Sequence, residues 1–495
     1  LKFGINLILI TLSKTSKQVG ILVLSVILAR YLTKDDYGTY LHVQLIANVA
    51  IWSFVLGIPH SVYYFLPKTG HKRRFVLVTA TIITTIATLV ASGIWLISDH
   101  LVNLLNNPAL ESLIYISAGI AFFQIPVTIF ESMLISTGKV KLFVAFDSIF
   151  NIGFFFVILI PTILTGDIEI ILKWLCAFYG LQMIGVLGIL LKIAFEFHND
   201  HEGEPYSLKG QFGYAVPIGI SEAIFELARY GDKIIISNTF NPATLAVYAR
   251  GAMDIPLLTI VNNTIDNLMM PELIEAYKDN CAKKMVALWH DSVALTAAFM
   301  YPSFFFLWFA APYLIPGLYG EAYKEAIIIF QIYSLGILFR VSTYNVIVRV
   351  IGKTGIMAYI SACSETANII GTIILVKMFG IWGAPAATVF STGIIVFGYL
   401  FAISHRLDIK FRHIFPWKRL GAVMLAAAAP LIVLAPISYA ETVGSINLGY
   451  WGTVGVMAFL YTGTYYIVMR SCPALNDDQK ALLRLMLPPK FKFLV

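Results

Sequence analysis

Long apolar runs recur from one end of the chain to the other, separated by short polar joints. Neither Phe75–Ile97 nor Phe154–Leu164 alternates polar with apolar positions, as a barrel strand must over roughly 10 residues. Many runs reach the roughly 20 residues that carry a helix across a hydrocarbon core. Backbone groups in lipid must bond within their own segment, so such runs fold as helices. The pattern predicts spans at about 8–29, 39–66, 75–97, 112–135, 142–164, 170–191, 211–236, 245–269, 285–310, 327–348, 355–376, 384–404, 418–438 and 449–469. The expected fold class is all-α, a polytopic membrane protein of about 14 transmembrane helices. The first helix reads as an anchor that stays rather than a cleaved leader. Leu482, Leu483 and Leu487, ahead of Pro488-Pro489, predict an amphipathic surface helix in the tail.

The joints repeat in order. Arg30-Tyr31-Leu32 followed by Tyr37-Gly38-Thr39-Tyr40 is echoed by Asn238-Thr239-Phe240 followed by Leu245-Ala246-Val247-Tyr248. Thr137-Gly138-Lys139 ahead of Asp147 and Asn151-Ile152-Gly153 is echoed by Ile351-Gly352-Lys353 ahead of Glu365 and Asn368-Ile369-Ile370-Gly371. The offset corresponds to six helices, an even number, so the copies share one orientation in the bilayer. The expected plan is two parallel six-helix bundles plus two C-terminal helices. The first bundle covers 1–197, a linker 198–210 and the second bundle 211–404. Two additional helices lie in 405–470, and 471–495 is a tail.

Charge adds sidedness. With the N-terminus inside, the alternating loops hold roughly 24 lysines and arginines on the inner side against 4 on the outer. Both ends are therefore expected in the cytoplasm. Overall, 58% of the 495 residues are hydrophobic and 13% charged, too few charges to clothe a soluble protein of this length. The net charge of +7 sits mostly in loops, where it suits anionic headgroups and requires no nucleic acid. The outer loops are short and leave no room for a catalytic domain there. The run His198, Asn199, Asp200, His201, Glu202, Gly203, Glu204 reads as a solvated connector rather than a metal site. Cys176, Cys281, Cys363 and Cys472 have no metal-ligand spacing, and no cofactor is expected.

Ionisable groups at membrane depth cost roughly 2.5–3.5 kcal/mol each on insertion scales, so each needs water or a partner. Glu222, Glu226, Arg229 and Lys233 are spaced four, three and four apart, on one helix face, with Asp232 beside them. Lys14 and Lys17 share a face of the first helix. Arg250, Asp254 and Asp266 lie in the eighth helix, Arg340 in the tenth, Glu365 in the eleventh, Glu131 in the fourth and Asp147 in the fifth. One reading makes Lys14, Lys17, Arg229, Arg340 and Arg250 the cavity bases that bind a phosphate or pyrophosphate. Glu131, Asp147, Glu222, Glu226 and Glu365 then either couple to a cation or balance the bases. The other reading is local neutralisation, Glu226 with Arg229 and Arg250 with Asp254. Pro59, Pro126, Pro217 and Pro256 are candidate kinks.

At Ile27–Tyr40, "ILARYLTKDDYGTY", the chain resembles the opening of the polysaccharide biosynthesis/flippase family of O-antigen flippase type. The likeness recurs at "YGDKIIISNTFNPATLAVYARGA" (Tyr230–Ala252), "YGEAYKEAIIIFQI" (Tyr319–Ile332) and through Gly352–Thr388. It implies the multidrug/oligosaccharidyl-lipid/polysaccharide flippase fold, two six-helix bundles forming a V with two added helices. It also implies a non-enzymatic flippase of the bacterial inner membrane. The implied substrate is an undecaprenyl-pyrophosphate-linked oligosaccharide, handed outward for surface polysaccharide synthesis. Membrane lipids, and a polysaccharide polymerase or chain-length regulator, are the partners to look for. No substrate-contact residues transfer from the family, so the site residues rest on the stripes above. The rivals are a cation-coupled drug exporter of the multidrug and toxin extrusion family and, in a different class, a membrane polysaccharide polymerase or ligase.

Overall fold

The computed structural model describes residues 2–197, 204–279, 281–342, 344–351, 354–444 and 448–471. The tail helix and residues 198–203 of the connector lie outside the described residues. The chain divides into two compact units, Leu1–Val247 and Tyr248–Val495.

The first unit holds α1 (Lys2–Tyr31), α2 (Lys34–Phe54), α3 (Ile58–Phe65), α4 (Lys72–Leu96), α5 (Ser98–Leu104), α6 (Ile114–Val127), α7 (Ile129–Ser136), α8 (Val140–Leu164), α9 (Ile168–Glu196) and α10 (Leu208–Thr239). The division falls within α11 (Pro242–Gly251). The second unit continues with α12 (Pro256–Lys278), α13 (Ala282–Tyr319), α14 (Ala326–Ser334), α15 (Asn345–Val350), α16 (Thr354–Phe379), α17 (Gly383–Leu407), α18 (Phe411–Ile414), α19 (Trp417–Ala428), α20 (Leu431–Thr442) and α21 (Gly449–Ser471). Among the described residues the only extended pairing is one bridge, Thr69 with Glu204. The all-α architecture expected from the apolar runs is the one found.

Nine helical stretches among the described residues are long and apolar enough to cross a membrane, ten with the bent pair Pro242–Gly251 and Pro256–Asn262. Helices α1 and α10 are long enough but polar through their middles, and α16 with α17 form a single stretch, Gly355–Leu407. This is a multi-pass membrane protein.

Local chemistry sets many of the helix ends. Thr33 caps α2 by accepting from the Asp36 N–H at 3.1 Å, and Asp167 caps α9 through the Glu169 N–H at 2.8 Å. Ser207 caps α10 through the Gly210 N–H at 3.1 Å. The first pair of repeated joints falls at helix ends, where α1 gives way to α2 at Leu32–Thr33 and α10 to α11 at Phe240–Asn241; Gly352 and Lys353 of the second pair lie outside the described residues. Pro59 sits in the first turn of α3, Pro126 ends α6 and Pro256 opens α12, whereas Pro217 lies inside an unbroken α10.

Two findings change the sequence picture. The predicted span 327–348 is not one helix: α14 tightens into a 3-10 turn over Leu335–Phe339, and α15 begins only at Asn345. The break has its own partners, since the Tyr344 hydroxyl donates to the Phe339 carbonyl at 2.7 Å. The indole of Trp289 donates to the Ser342 hydroxyl at 2.8 Å. The first of these bonds satisfies a backbone carbonyl at the end of the 3-10 turn, and the second ties down a side chain within the break.

The second finding concerns α10, which packs in the first unit against α2 and α3. The crossing is made by glycine. Gly57 adopts a left-handed conformation (φ +64°) at the α2–α3 break, and a Cβ on Gly219 would lie 2.2 Å from the Leu56 carbonyl carbon. Only hydrogen fits in that space. The start of α10 is tied down by Gln211, whose amide donates to Ser61 at 3.0 Å and Thr79 at 3.2 Å. Its carbonyl accepts from Tyr206 at 2.7 Å. Burial pushes the Tyr206 phenol above its ordinary range.

In the second unit α13 is the central rod, burying Trp289, Val293, Ala297, Met300 and Phe304. The C-terminal helices bond to it and to each other: Tyr465 donates to the Ala298 carbonyl at 2.8 Å, and Tyr461 to the Ala427 carbonyl at 2.6 Å.

Candidate functional site

The first unit exposes two kinds of surface. Leu89 and Leu96 of α4, Ile149 and Ile152 of α8, and Leu181 and Ile184 of α9 are large apolar side chains open to the surroundings, as lipid requires. On α1, α3, α7 and α10 exposed charged side chains stand alongside exposed apolar ones such as Ile220, Ile224 and Leu227 of α10. The Lys14 ammonium meets the Glu131 carboxylate at 2.8 Å, joining α1 to α7. The His60 Nε2 meets Glu222 at 2.6 Å, joining α3 to α10. One turn on from Glu222, Glu226 holds Arg229 at 3.3 Å. The Arg229 side chain is 62% exposed and that of Lys14 is 56% exposed. Lys17 is exposed one turn beyond Lys14, without an ion-pair partner among the described residues. Asp147, half-buried, accepts from Asn151 at 2.9 Å.

Pairs this open contribute about 0–1 kcal/mol in water, so they are not what holds the unit together. Charge on an exposed face of an apolar bundle is sustained by contact with water or a polar ligand. Lys14→Glu sets two carboxylates against each other and should destabilise the protein by up to about 1 kcal/mol, with Lys14→Glu/Glu131→Lys restoring it. Thermal unfolding in detergent measures both.

The second unit places Arg340 at the α14–α15 break, where its guanidinium meets Asp254 at 2.7 Å. The Tyr333 hydroxyl donates to the same carboxylate oxygen at 3.3 Å. The pairing expected from spacing, Arg250 with Asp254, is replaced: Asp254 lies past the end of α11, and the Arg250 guanidinium lies 5.6 Å from the centre of the Tyr319 ring. Glu226 with Arg229 does pair as the neutralisation reading expects. Glu365 is half-buried on α16. Of the ten sequence-derived candidates, the structure joins Lys14 to Glu131 and Glu226 to Arg229. It pairs Glu222 and Arg340 with His60 and Asp254, which were not among those candidates. His60 is 162 residues from its partner, and no local pattern marks it.

At one end of the first unit, cations rest on aromatic rings. The Lys68 ammonium lies 3.6 Å from the centre of the Tyr64 ring and the Arg73 guanidinium 4.6 Å from that of Phe195. The Tyr64 hydrogen bond holds the Lys68 ammonium above its usual range. Lys139 pairs with Glu196 nearby in sequence to these rings.

An all-helical, multi-pass unit pair with charged faces set into apolar surroundings is the construction of a membrane transporter. The chain belongs to the polysaccharide biosynthesis protein family, whose defining pattern matches residues 27–328. It is 24% identical over 192 residues to the capsular polysaccharide biosynthesis protein CapF of Staphylococcus aureus. That match spans 38% of this chain and about half, 48%, of the relative. Its fold is similar to the lipid II flippase MurJ in an inward closed conformation, with a TM-score of 0.72 and 16% identity over 93% of this chain and 98% of that one. It is also similar to an inward-facing multidrug resistance MATE family transporter of the MOP superfamily. There the TM-score is 0.55, with 12% identity over 79% of this chain and 94% of the other.

Proposed function

We propose that the protein is a flippase that moves a lipid-linked, pyrophosphate-bearing oligosaccharide from the cytoplasmic to the outer leaflet by alternating access, for surface polysaccharide synthesis. The observation that carries this reading is the set of exposed, partly paired charges that α1, α3, α7 and α10 carry within their helices, Lys14 with Glu131, His60 with Glu222 and Arg229 with Glu226. A lipid tail stays in the bilayer while its sugar and phosphates need a wet, hydrogen-bonding path, and these groups supply one. Lys14, Lys17, Arg229, Arg250 and Arg340 attract the phosphates. The carboxylates Glu131, Asp147, Glu222, Glu226 and Glu365 keep the path from becoming a trap, or couple movement to a cation. Family membership and the MurJ-like fold support this reading over a drug exporter.

The basic end of the first unit, with Lys68, Lys72 and Arg73, faces the cytoplasm on the positive-inside rule, and both chain ends lie on that side of the inner membrane. A polymerase that receives the sugar is the natural protein partner.

The test is leaflet exchange in vesicles. With a polyprenyl-pyrophosphate oligosaccharide in one leaflet, the protein should speed its appearance in the other. Export of an organic cation with no lipid exchange would assign the chain to drug transport instead.

A further inference from the structure

The first unit carries a groove of about 360 Å³ between α4 and α9, two helices that also show large apolar side chains to the surroundings. Leu77, Thr81, Thr84 and Thr88 line it from α4, and Leu187 and Leu191 from α9. The threonines do not make it polar. Thr81 donates to the Leu77 carbonyl at 2.9 Å, Thr84 to that of Ala80 at 2.8 Å and Thr88 to that of Thr84 at 3.0 Å. Each hydroxyl proton is spent on the helix's own backbone, so the groove asks for no water and accepts a hydrocarbon chain. From Leu77 to Thr88 the α4 wall runs about 16 Å at about 1.5 Å per residue, the depth of one leaflet of a core about 30 Å thick. A phospholipid acyl chain ends within that distance. The undecaprenyl tail of a lipid-linked sugar is far longer and would overrun it.

One end of the groove is basic. Arg73 comes four residues before Leu77 and so stands on the same face of α4. Phe195 comes four residues after Leu191 on α9, and the Arg73 guanidinium lies 4.6 Å from the centre of its ring. The guanidinium thus reaches from one helix to the other across the end of the groove. It is exposed, and it has no ion-pair partner among the described residues. Contact with a ring leaves its fork of N–H donors for a phosphate. Lys192, three residues before Phe195, is exposed as well. The carboxylate in that turn, Glu196, is taken by Lys139. A dry slot one leaflet deep, closed at one end by cations, is complementary in shape and charge to an anionic phospholipid.

The geometry points to a binding site for one anionic phospholipid, with an acyl chain in the α4–α9 groove and its phosphate on Arg73. The lipid belongs to the leaflet on the basic side, which is the cytoplasmic one on the positive-inside rule. The site stands whether or not the chain is a flippase.

Native mass spectrometry of the delipidated full chain in detergent tests this, with phosphatidylglycerol and phosphatidylcholine of identical chains as probes. The wild-type protein should retain its first phosphatidylglycerol about fivefold more strongly than phosphatidylcholine, the effect of one arginine beside a phosphate. Arg73→Gln should erase that preference, and Arg73→Lys should keep most of it. Thr84→Phe fills the groove, leaves the cations alone and should weaken phosphatidylglycerol retention severalfold. Arg73 is exposed and Thr84 half-buried at the groove wall, so neither change should disturb folding, which elution and thermal unfolding check. Equal retention of the two lipids by the wild type, or a preference that survives Arg73→Gln, would overturn the headgroup seat. Unchanged retention in Thr84→Phe would overturn the place of the chain. Undecaprenyl phosphate held more tightly than phosphatidylglycerol, and lost in Thr84→Phe, would give the groove to the transported lipid and overturn the phospholipid assignment.

Discussion

Arg340→Ala should leave the protein inserted in the membrane and cut translocation of lipid-linked oligosaccharide by roughly tenfold to a hundredfold. A hydrogen bond to a charged partner contributes about 1.5–3 kcal/mol where both groups are held in place, and that range corresponds to this loss of rate. Arg340 is held in place, because the Phe339 carbonyl before it and the Ser342 hydroxyl after it are bonded to Tyr344 and Trp289. Its loss also leaves Asp254 with only the Tyr333 hydroxyl as a hydrogen-bond donor among the described residues. Arg229→Ala should do less, a few-fold at most, because that side chain stands 62% exposed on a continuous helix and its ion pair among the described residues is with its own α10 neighbour Glu226. The readout is lipid-linked sugar retained in the cytoplasmic leaflet, with membrane insertion measured on the same cells. Equal and normal surface polysaccharide in both variants would remove these arginines from the path.

A large loss of folding should follow Gly219→Val. The built Cβ lies 2.2 Å from the Leu56 carbonyl carbon and 2.6 Å from the Gly57 nitrogen, and backbone on both sides cannot step aside as a side chain can. Forced overpacking at such a crossing costs about 3 kcal/mol or more, enough to remove much of the folded protein. Gly188→Ala on α9 is the control. Nothing lies within 4 Å of its built Cβ, so the change should be neutral or slightly stabilising. Expression and thermal stability in detergent separate the two outcomes.

The helices were legible because lipid permits so few alternatives: apolar length alone predicts α4, α8 and α9 nearly to their ends. The repeated joints placed the α1–α2 and α10–α11 turns. The interruption after Phe339 was not legible, since Leu335–Phe339 is as apolar as a helix and only a tertiary contact, Trp289 to Ser342, reveals the break. The same limit applies to the site. Spacing showed which charges share a helix face, so Glu226 with Arg229 could be read directly. It could not show that Glu222 turns to His60, or that Asp254 leaves Arg250 for Arg340, because those contacts are made by the fold at separations of 162 and 86 residues.

Everything turns on whether the exposed charges of α1, α3, α7 and α10 are wet while the protein sits in a bilayer. Thiol labelling by a membrane-impermeant reagent measures this directly, on a chain whose four native cysteines have been replaced. Lys17→Cys, His60→Cys and Arg229→Cys should react from the aqueous phase, and Leu89→Cys and Ile149→Cys on the apolar faces should not. Protection at 17, 60 and 229 in properly inserted protein would mean that these charges are sealed among themselves, and the path for a sugar-phosphate would not exist.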